Sequence, residues 1–121
     1  MVYRYTTAPT SRQLKVGQAI RQALSEILQR NELSHPFFEK TMITVSEVRV
    51  SPDLKVATAF LILPDNSDQK KIVKFFNEIA PTFRKLVTSK INLRFSPEIR
   101  FTIDDSIQKA AELEALFRKD K

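Results

Sequence analysis

The chain has no cysteine and no tryptophan, and only one glycine and one histidine among 121 residues. Without cysteine there is no disulfide, no thiolate metal site and no cysteine nucleophile, which fits a reducing compartment. A single glycine excludes the P-loop and the dinucleotide fingerprint, both of which need several. The lone histidine, His35, precedes Pro36 in a loop, where a histidine is far more often solvated or a local hydrogen-bond partner than a catalytic base. With no second histidine and no cysteine, no zinc site is expected. Asp104 and Asp105 are adjacent acids, but capping of a helix explains them better than acid–base work. No apolar run approaches the roughly 20 residues of a membrane helix. The opening MVYRYTTAPTSRQ lacks the apolar centre of a signal peptide. The expectation is a cytoplasmic, non-enzymatic protein with no cofactor, no metal, no small-molecule substrate and no membrane partner.

What is present is positive charge, unevenly spread. The net charge is +6 and the pI about 9.8. Residues 1–25 hold four basic residues and no acidic one; residues 69–100 hold eight basic against Glu78 and Glu98. The rest of the chain is net acidic. Two acid-poor segments favour a polyanionic partner, because phosphate affinity comes mainly from Lys and Arg contacts. Arg84, Lys85, Lys90 and Arg94 are candidate phosphate contacts, with Arg12, Lys15 and Arg21 as a second patch. Most of the nine Phe fall on apolar stripes and are assigned to the core; only Tyr3, Tyr5 and Phe95 are placed to stack on bases.

Residues 1–10 are expected to form a flexible arm and 119–121 a tail, with one domain at 11–118. Ser11 is expected to cap a helix to about Arg30, whose stripe is Val16, Ile20, Ala23, Leu24, Ile27 and Leu28. Gly17 lies inside it at a cost of about 1 kcal/mol relative to Ala, which suggests close contact with a neighbouring backbone. His35–Pro36 is read as an extended or turn dipeptide, with Phe37 and Phe38 plugging one end of the core. TMITVSEVRV is a strand whose apolar phase changes at Ser46–Glu47, the mark of a bulge. SPDL turns the chain into KVATAFLILP, a strand apolar on both faces and therefore central, paired antiparallel with the first. A helix bearing Ile72, Phe75, Phe76 and Ile79 is interrupted at Ala80–Pro81–Thr82. It resumes to Lys90, with Phe83, Leu86 and Val87 facing inward. A strand at 99–103 and a C-terminal helix with a looser stripe through Ile107, Ala110 and Phe117 complete the chain.

The element order helix–strand–strand–helix–helix–strand matches the type II KH arrangement, an α+β fold with a three-stranded sheet packed against helices. RQLKVGQAIRQALSEIL, TVSEVRVSPDLKVATAFL, IAPTFRKLV and INLRFSPEIRFTIDDS together span about residues 11–106. In these pieces the chain resembles the bacterial ribosome-binding factor A family. The resemblance implies a single KH-like domain that binds the free 30S subunit and folded 16S rRNA; a monomer is the default expectation. It also implies help in late 16S rRNA processing at the 5′ end, a role in cold adaptation, and no catalysis. The family lacks the GxxG loop and carries an Ala-x-Gly kink instead. Here Ala80 matches the Ala, Pro81 is the middle residue, and Thr82 stands where Gly is usual. The family's long charged C-terminal tail is brief here. Two other functions fit the residues: a general KH-type binder of single-stranded RNA, and a protein–protein adaptor using Phe37 and Phe38 or the C-terminal helix.

Overall fold

A computed structural model describes residues 8–65, 67–94 and 96–119. Tyr3, Tyr5, Phe95 and residues 1–7 and 120–121 lie outside the described residues. The elements are α1 (Ser11–Gln29), α2 (Pro36–Lys40), β1 (Thr44–Val50), β2 (Val56–Ile62), α3 (Gln69–Glu78), α4 (Ala80–Lys90), β3 (Glu98–Ile103) and α5 (Ser106–Lys119). The strands form one mixed sheet in the order β1-β2-β3, antiparallel between β1 and β2 and parallel between β2 and β3. Helices α1, α3 and α4 pack against the sheet and enclose the core.

Local chemistry explains each boundary. The cap of α1 is Thr10 rather than Ser11. Thr10 Oγ1 accepts the Gln13 N–H at 3.2 Å, and Gln13 Oε1 accepts the Thr10 N–H at 2.8 Å. This reciprocal pair, a capping box, satisfies two donors at once. The buried Gln13 amide also donates to the Val50 carbonyl at 3.0 Å, so the start of α1 is tied to the end of β1. Residues 36–40 form a short helix that the His35–Pro36 dipeptide did not suggest. His35 itself is extended, as a residue before proline should be. Its Nδ1 accepts the Phe37 N–H at 3.1 Å, and Pro36 suits the first helical position because it has no N–H to lose.

The expected bulge is present: the β1–β2 register shifts between Val45 and Glu47. The extra residue, Ser46, turns its hydroxyl to Asp104 at 2.6 Å. In the SPDL turn, Asp53 Oδ1 accepts from the Ser51 hydroxyl at 2.6 Å and the Lys55 N–H at 3.0 Å. Leu54 adopts a left-handed backbone (φ 61) and buries its side chain. Strain of about 1 kcal/mol there is outweighed by the ~1.5–3 kcal/mol gained from a buried leucine.

Six phenylalanines join the helices to the sheet. Phe38 packs edge-on against Phe76 and Phe83 and closes one end of the core, as expected, with Phe37 half-buried beside it. Phe76 lies before the α3–α4 break and Phe83 after it. Their rings stack at 5.5 Å and both meet Phe101 of β3, at 5.1 and 5.0 Å. α5 differs from the other long helices: every one of its described side chains is exposed.

Candidate nucleic-acid interface

The site is built on the open edge of β3. The Glu98 N–H donates to the Lys55 carbonyl and the Asp104 N–H to the Leu61 carbonyl, each at 2.8 Å. Even-numbered residues of β3 therefore bond β2, and the peptide groups of Ile99, Phe101 and Ile103 face outward. Alongside runs one face of the α3–α4 pair. Lys70, Lys74, Asn77, Pro81 and Arg84 follow at alternating spacings of four and three, the spacing of neighbours on a helix surface. Between helices and strand lie two hollows in series. One, of about 500 Å³, is lined by Asn77, Ala80, Pro81, Arg84 and residues 98–101. The other, of about 380 Å³, is lined by residues 69–70, Val73, Lys74, Thr102 and Ile103. Asn77 stands between them. Its Oδ1 accepts the Phe101 N–H at 2.9 Å and its Nδ2 donates to the Phe101 carbonyl at 3.0 Å.

The break between the helices shapes the trough. In an uninterrupted helix residue 81 would donate to the carbonyl of Asn77, and Pro81 cannot. Ile79 ends α3 and begins α4 with φ −100 and ψ 10. Its carbonyl accepts from Thr82 at 3.0 Å and Phe83 at 3.3 Å, so the first free amides of α4 are already used. The bend offers no cluster of open N–H groups for a phosphate, and anion affinity falls to side chains. Ala80 is buried against the core; Pro81 and Thr82 are exposed. The bend is held by Pro81 and by the Phe76–Phe83–Phe101 contacts, which need no glycine at 82.

The seven expected contacts separate into groups. Arg84 lines the larger hollow; its Nε donates to the Ser96 carbonyl at 3.1 Å and hydroxyl at 3.0 Å, and its Nη2 also bonds that carbonyl. Guanidinium has five N–H donors, so others remain for a ligand. Thr88 reinforces this corner through the Ser96 hydroxyl at 2.6 Å. Lys85 and Arg94 are exposed and without an ion-pair partner among the described residues. Lys90 is turned away. Its Nζ meets Glu32 at 2.7 Å and Glu26 at 3.2 Å, and its side chain is only 20% exposed. The bond to Glu32 and then that to Glu26 raise its pKa, against the opposing effect of burial. Lys90 is thus a clamp between α4 and the end of α1.

Arg12, Lys15 and Arg21 do not make one patch. Nine residues at about 100° each put Arg12 and Arg21 on opposite sides of α1. Arg12 and Lys15 are exposed together, whereas Arg21 lines a separate groove of about 420 Å³ with Gln18, Glu47 and Arg49. There Arg49 is engaged by Glu47 at 2.8 Å and lies 5.3 Å from the Phe60 ring centroid.

Three cations of the trough were missed as site residues: Lys70, Lys74 and Arg100. Their signal was the acid-poor composition of residues 69–100. Assigning them to the site required the parallel placement of β3, which brings its open edge beside α3. Arg100 pairs with Glu98 at 3.0 Å, but both are well exposed. Such a pair is worth little and leaves Arg100 able to turn to a stronger anion. Among the described residues no group of His, Asp or Glu has a metal-binding arrangement, and no helix is long and apolar enough to cross a membrane.

The sequence model of the ribosome-binding factor A family matches residues 12–117. Ribosome-binding factor A of Methylobacterium nodulans is 36% identical over 116 residues, covering 96% of this chain and 86% of that protein. The solution structure of a Thermotoga maritima protein described as a ribosome-binding factor A superposes with a TM-score of 0.66 at 28% identity, covering 84% of this chain and 94% of that one. A Thermus thermophilus ribosome-binding factor A, fitted as a homology model into a cryo-electron-microscopy map of its complex with the 30S subunit, gives a TM-score of 0.58 at 18% identity. It covers 74% of this chain and 91% of that one. With the family model spanning most of the chain and the fold shared, this protein belongs to the ribosome-binding factor A family.

Proposed function

We propose that the protein binds the free 30S subunit through folded 16S rRNA, as a monomer in the cytoplasm, and assists late processing of the 5′ end of that RNA, with its greatest value in the cold. It acts by binding: favouring one rRNA conformation requires only a difference in affinity between conformations. The observation that carries this reading is the alignment of Lys70, Lys74, Arg84 and Arg100 along the open edge of β3, with Glu98 as the one acid lining either hollow among the described residues. Lys85 and Arg94 extend the cationic surface, and Arg12 and Lys15 add contacts on α1; Lys90 is left out because its charge is already neutralised within the fold. Family membership supports the same partner, and the Thermus thermophilus relative is described in a 30S complex. The closed α3–α4 bend argues against reading of isolated single strands, because close backbone approach at a GxxG-type loop is missing.

Co-sedimentation with small subunits, large subunits and free RNA across a salt series tests this. Selective small-subunit binding that weakens with salt is the expected result. Arg84→Glu with Lys85→Glu should weaken binding and flatten its salt dependence, since each lost phosphate contact lowers the slope by roughly one. Equal binding to every RNA, or unchanged affinity in the double variant, would reject the proposed interface.

A further inference from the structure

We infer that Ser96 and Thr88 are positioning residues that hold the Arg84 guanidinium as a fixed fork for one phosphate of the rRNA backbone; this rests on the small-subunit reading above. A guanidinium offers two pairs of parallel donors, a side pair from Nε and Nη2 and an end pair from Nη1 and Nη2. Arg84 Nε donates to the Ser96 carbonyl at 3.1 Å and to the Ser96 hydroxyl at 3.0 Å, and Nη2 bonds the same carbonyl. The side pair is thereby used. The end pair points away from Ser96 and matches two oxygens of a phosphodiester.

The hydroxyls close a circuit. The Thr88 hydroxyl donates to the Arg84 carbonyl at 2.8 Å, so its one proton is committed. At the 2.6 Å contact between the two hydroxyls Ser96 is therefore the donor. The run goes from Arg84 Nε to Ser96, on to Thr88 and back to the Arg84 main chain, and each member polarises the next. Arg84 and Thr88 stand one turn apart on α4, both exposed. The Ser96 end is fixed by the chain itself. A residue before proline is confined to extended conformations, and Pro97 is fully buried. Glu98 follows, its N–H bonded to the Lys55 carbonyl at 2.8 Å where β3 begins. The acceptor for Arg84 is thus set by the core and the sheet.

What singles out Arg84 is that these partners are neutral. Among the described residues no carboxylate pairs with it, whereas Lys90 and Arg100 each meet a glutamate. Arg84 is immobilised without being neutralised, and it lines the larger hollow of the trough. An anion arriving there displaces no internal acid and has little side-chain freedom left to remove. Lysine, a point charge with three rotatable donors, cannot present such a fork.

The test is a double-mutant cycle with full-length protein on intact small subunits. Thr88→Val with Ser96→Ala removes both hydroxyls and no charge. Affinity is expected to fall roughly three- to tenfold, the cost of ordering one long side chain on binding. The salt slope should stay as it is, because the charge does. Arg84→Lys should fall at least as far, again with the slope unchanged. Adding the hydroxyl changes to Arg84→Lys should cost nothing more, because no fork remains to be held. NMR of the free protein gives a second readout: the Arg84 Nε–H should exchange slowly with water in the wild type and faster in the hydroxyl variant. Losses that add in full would mean that the hydroxyls act on the fold and not through Arg84, and would overturn the proposal. Wild-type affinity in either Arg84→Lys or the hydroxyl variant would overturn it too, as would a fast-exchanging Nε–H in the wild type. In each of those cases the small-subunit reading stands. Failure of the wild type to bind subunits at all would reject that reading, and the phosphate assignment with it.

Discussion

Gly17 and Val48 meet backbone to backbone: a Cβ added at Gly17 would lie 2.7 Å from the Val48 carbonyl oxygen. The chain's one glycine therefore lets α1 settle against β1, next to the Gln13–Val50 hydrogen bond. Gly17→Ala would gain about 1 kcal/mol of helix propensity. It would also force apart two main-chain segments, and overpacking costs about 1–3 kcal/mol. The obstacle is a backbone atom that cannot rotate away, so the steric effect wins. Urea denaturation should show the alanine variant less stable than wild type; a more stable variant would refute the close approach.

Asn77 acts as a one-residue partner strand for Phe101, accepting its N–H and donating to its carbonyl. Asn77→Ala leaves both groups without that partner, at a cost of about 1–3 kcal/mol if water does not replace it. It also opens the middle of an edge strand, a known route to edge-to-edge pairing. Reduced stability together with concentration-dependent light scattering is expected. A variant as stable and as monodisperse as wild type would show the bridge to be dispensable.

Lys90 and Lys85 sit five residues apart on α4 and are predicted to behave oppositely. Lys90→Met breaks the contacts to Glu26 and Glu32, so it should lower the melting temperature and leave subunit affinity unchanged. Lys85→Met should do the reverse. Interchanged phenotypes would return Lys90 to the RNA interface.

At the bend, Thr82→Gly should cost no more than about 1 kcal/mol, the helix-propensity penalty of glycine, because Thr82 is exposed and Pro81 already breaks the ladder. Phe83→Ala should cost about 3–5 kcal/mol, because it removes the ring stacked on Phe76 and touching Phe101. Similar losses in the two variants would mean that residue 82, not the aromatic contacts, sets the bend.

The Asp104 carboxyl is held below its ordinary range by the Ser106 hydroxyl, then the Ser46 hydroxyl, then the Ser106 N–H. A carboxylate with a depressed pKa stabilises the fold above the unfolded value of about 3.9, and that contribution is lost as pH falls through the folded value. Wild type should therefore lose stability on acidification below about pH 5, and Asp104→Asn should show a shallower loss over the same window. Denaturant midpoints from pH 7 to 3 measure this; parallel curves would contradict a stabilising role for the Asp104 hydrogen bonds to Ser46 and Ser106.

Much of this protein was legible in the sequence because its signals are local. The phase change from Val45 to Val48 marked the bulge, unbroken apolarity marked β2 as the central strand, and Pro81 marked the break between α3 and α4. Such features are written in side-chain alternation, burial and proline stereochemistry, all of which act within a few residues. The family motifs lie in the same segments. The start of α1 was misplaced by one residue because Thr10 and Ser11 are both competent caps, and only Gln13 three residues after Thr10 selects between them. The helix at 36–40 was missed because a five-residue element has little periodicity.

What the tertiary structure decided is which charges share a face. Composition marked residues 69–100 as basic, but only the parallel pairing of β3 with β2 brings Arg100 alongside Lys70, Lys74 and Arg84. The same packing turns Lys90 inward to Glu26 and Glu32, and helix geometry divides Arg12 from Arg21. Charge in a sequence has magnitude but no direction; direction comes from the packing of the helix that carries it. The sequence by itself therefore determined the main elements, the fold class and the two acid-poor, basic segments. The geometry of the trough, and the exposed apolar stripe of α5, arose only when non-local contacts fixed which surfaces are buried and which remain open.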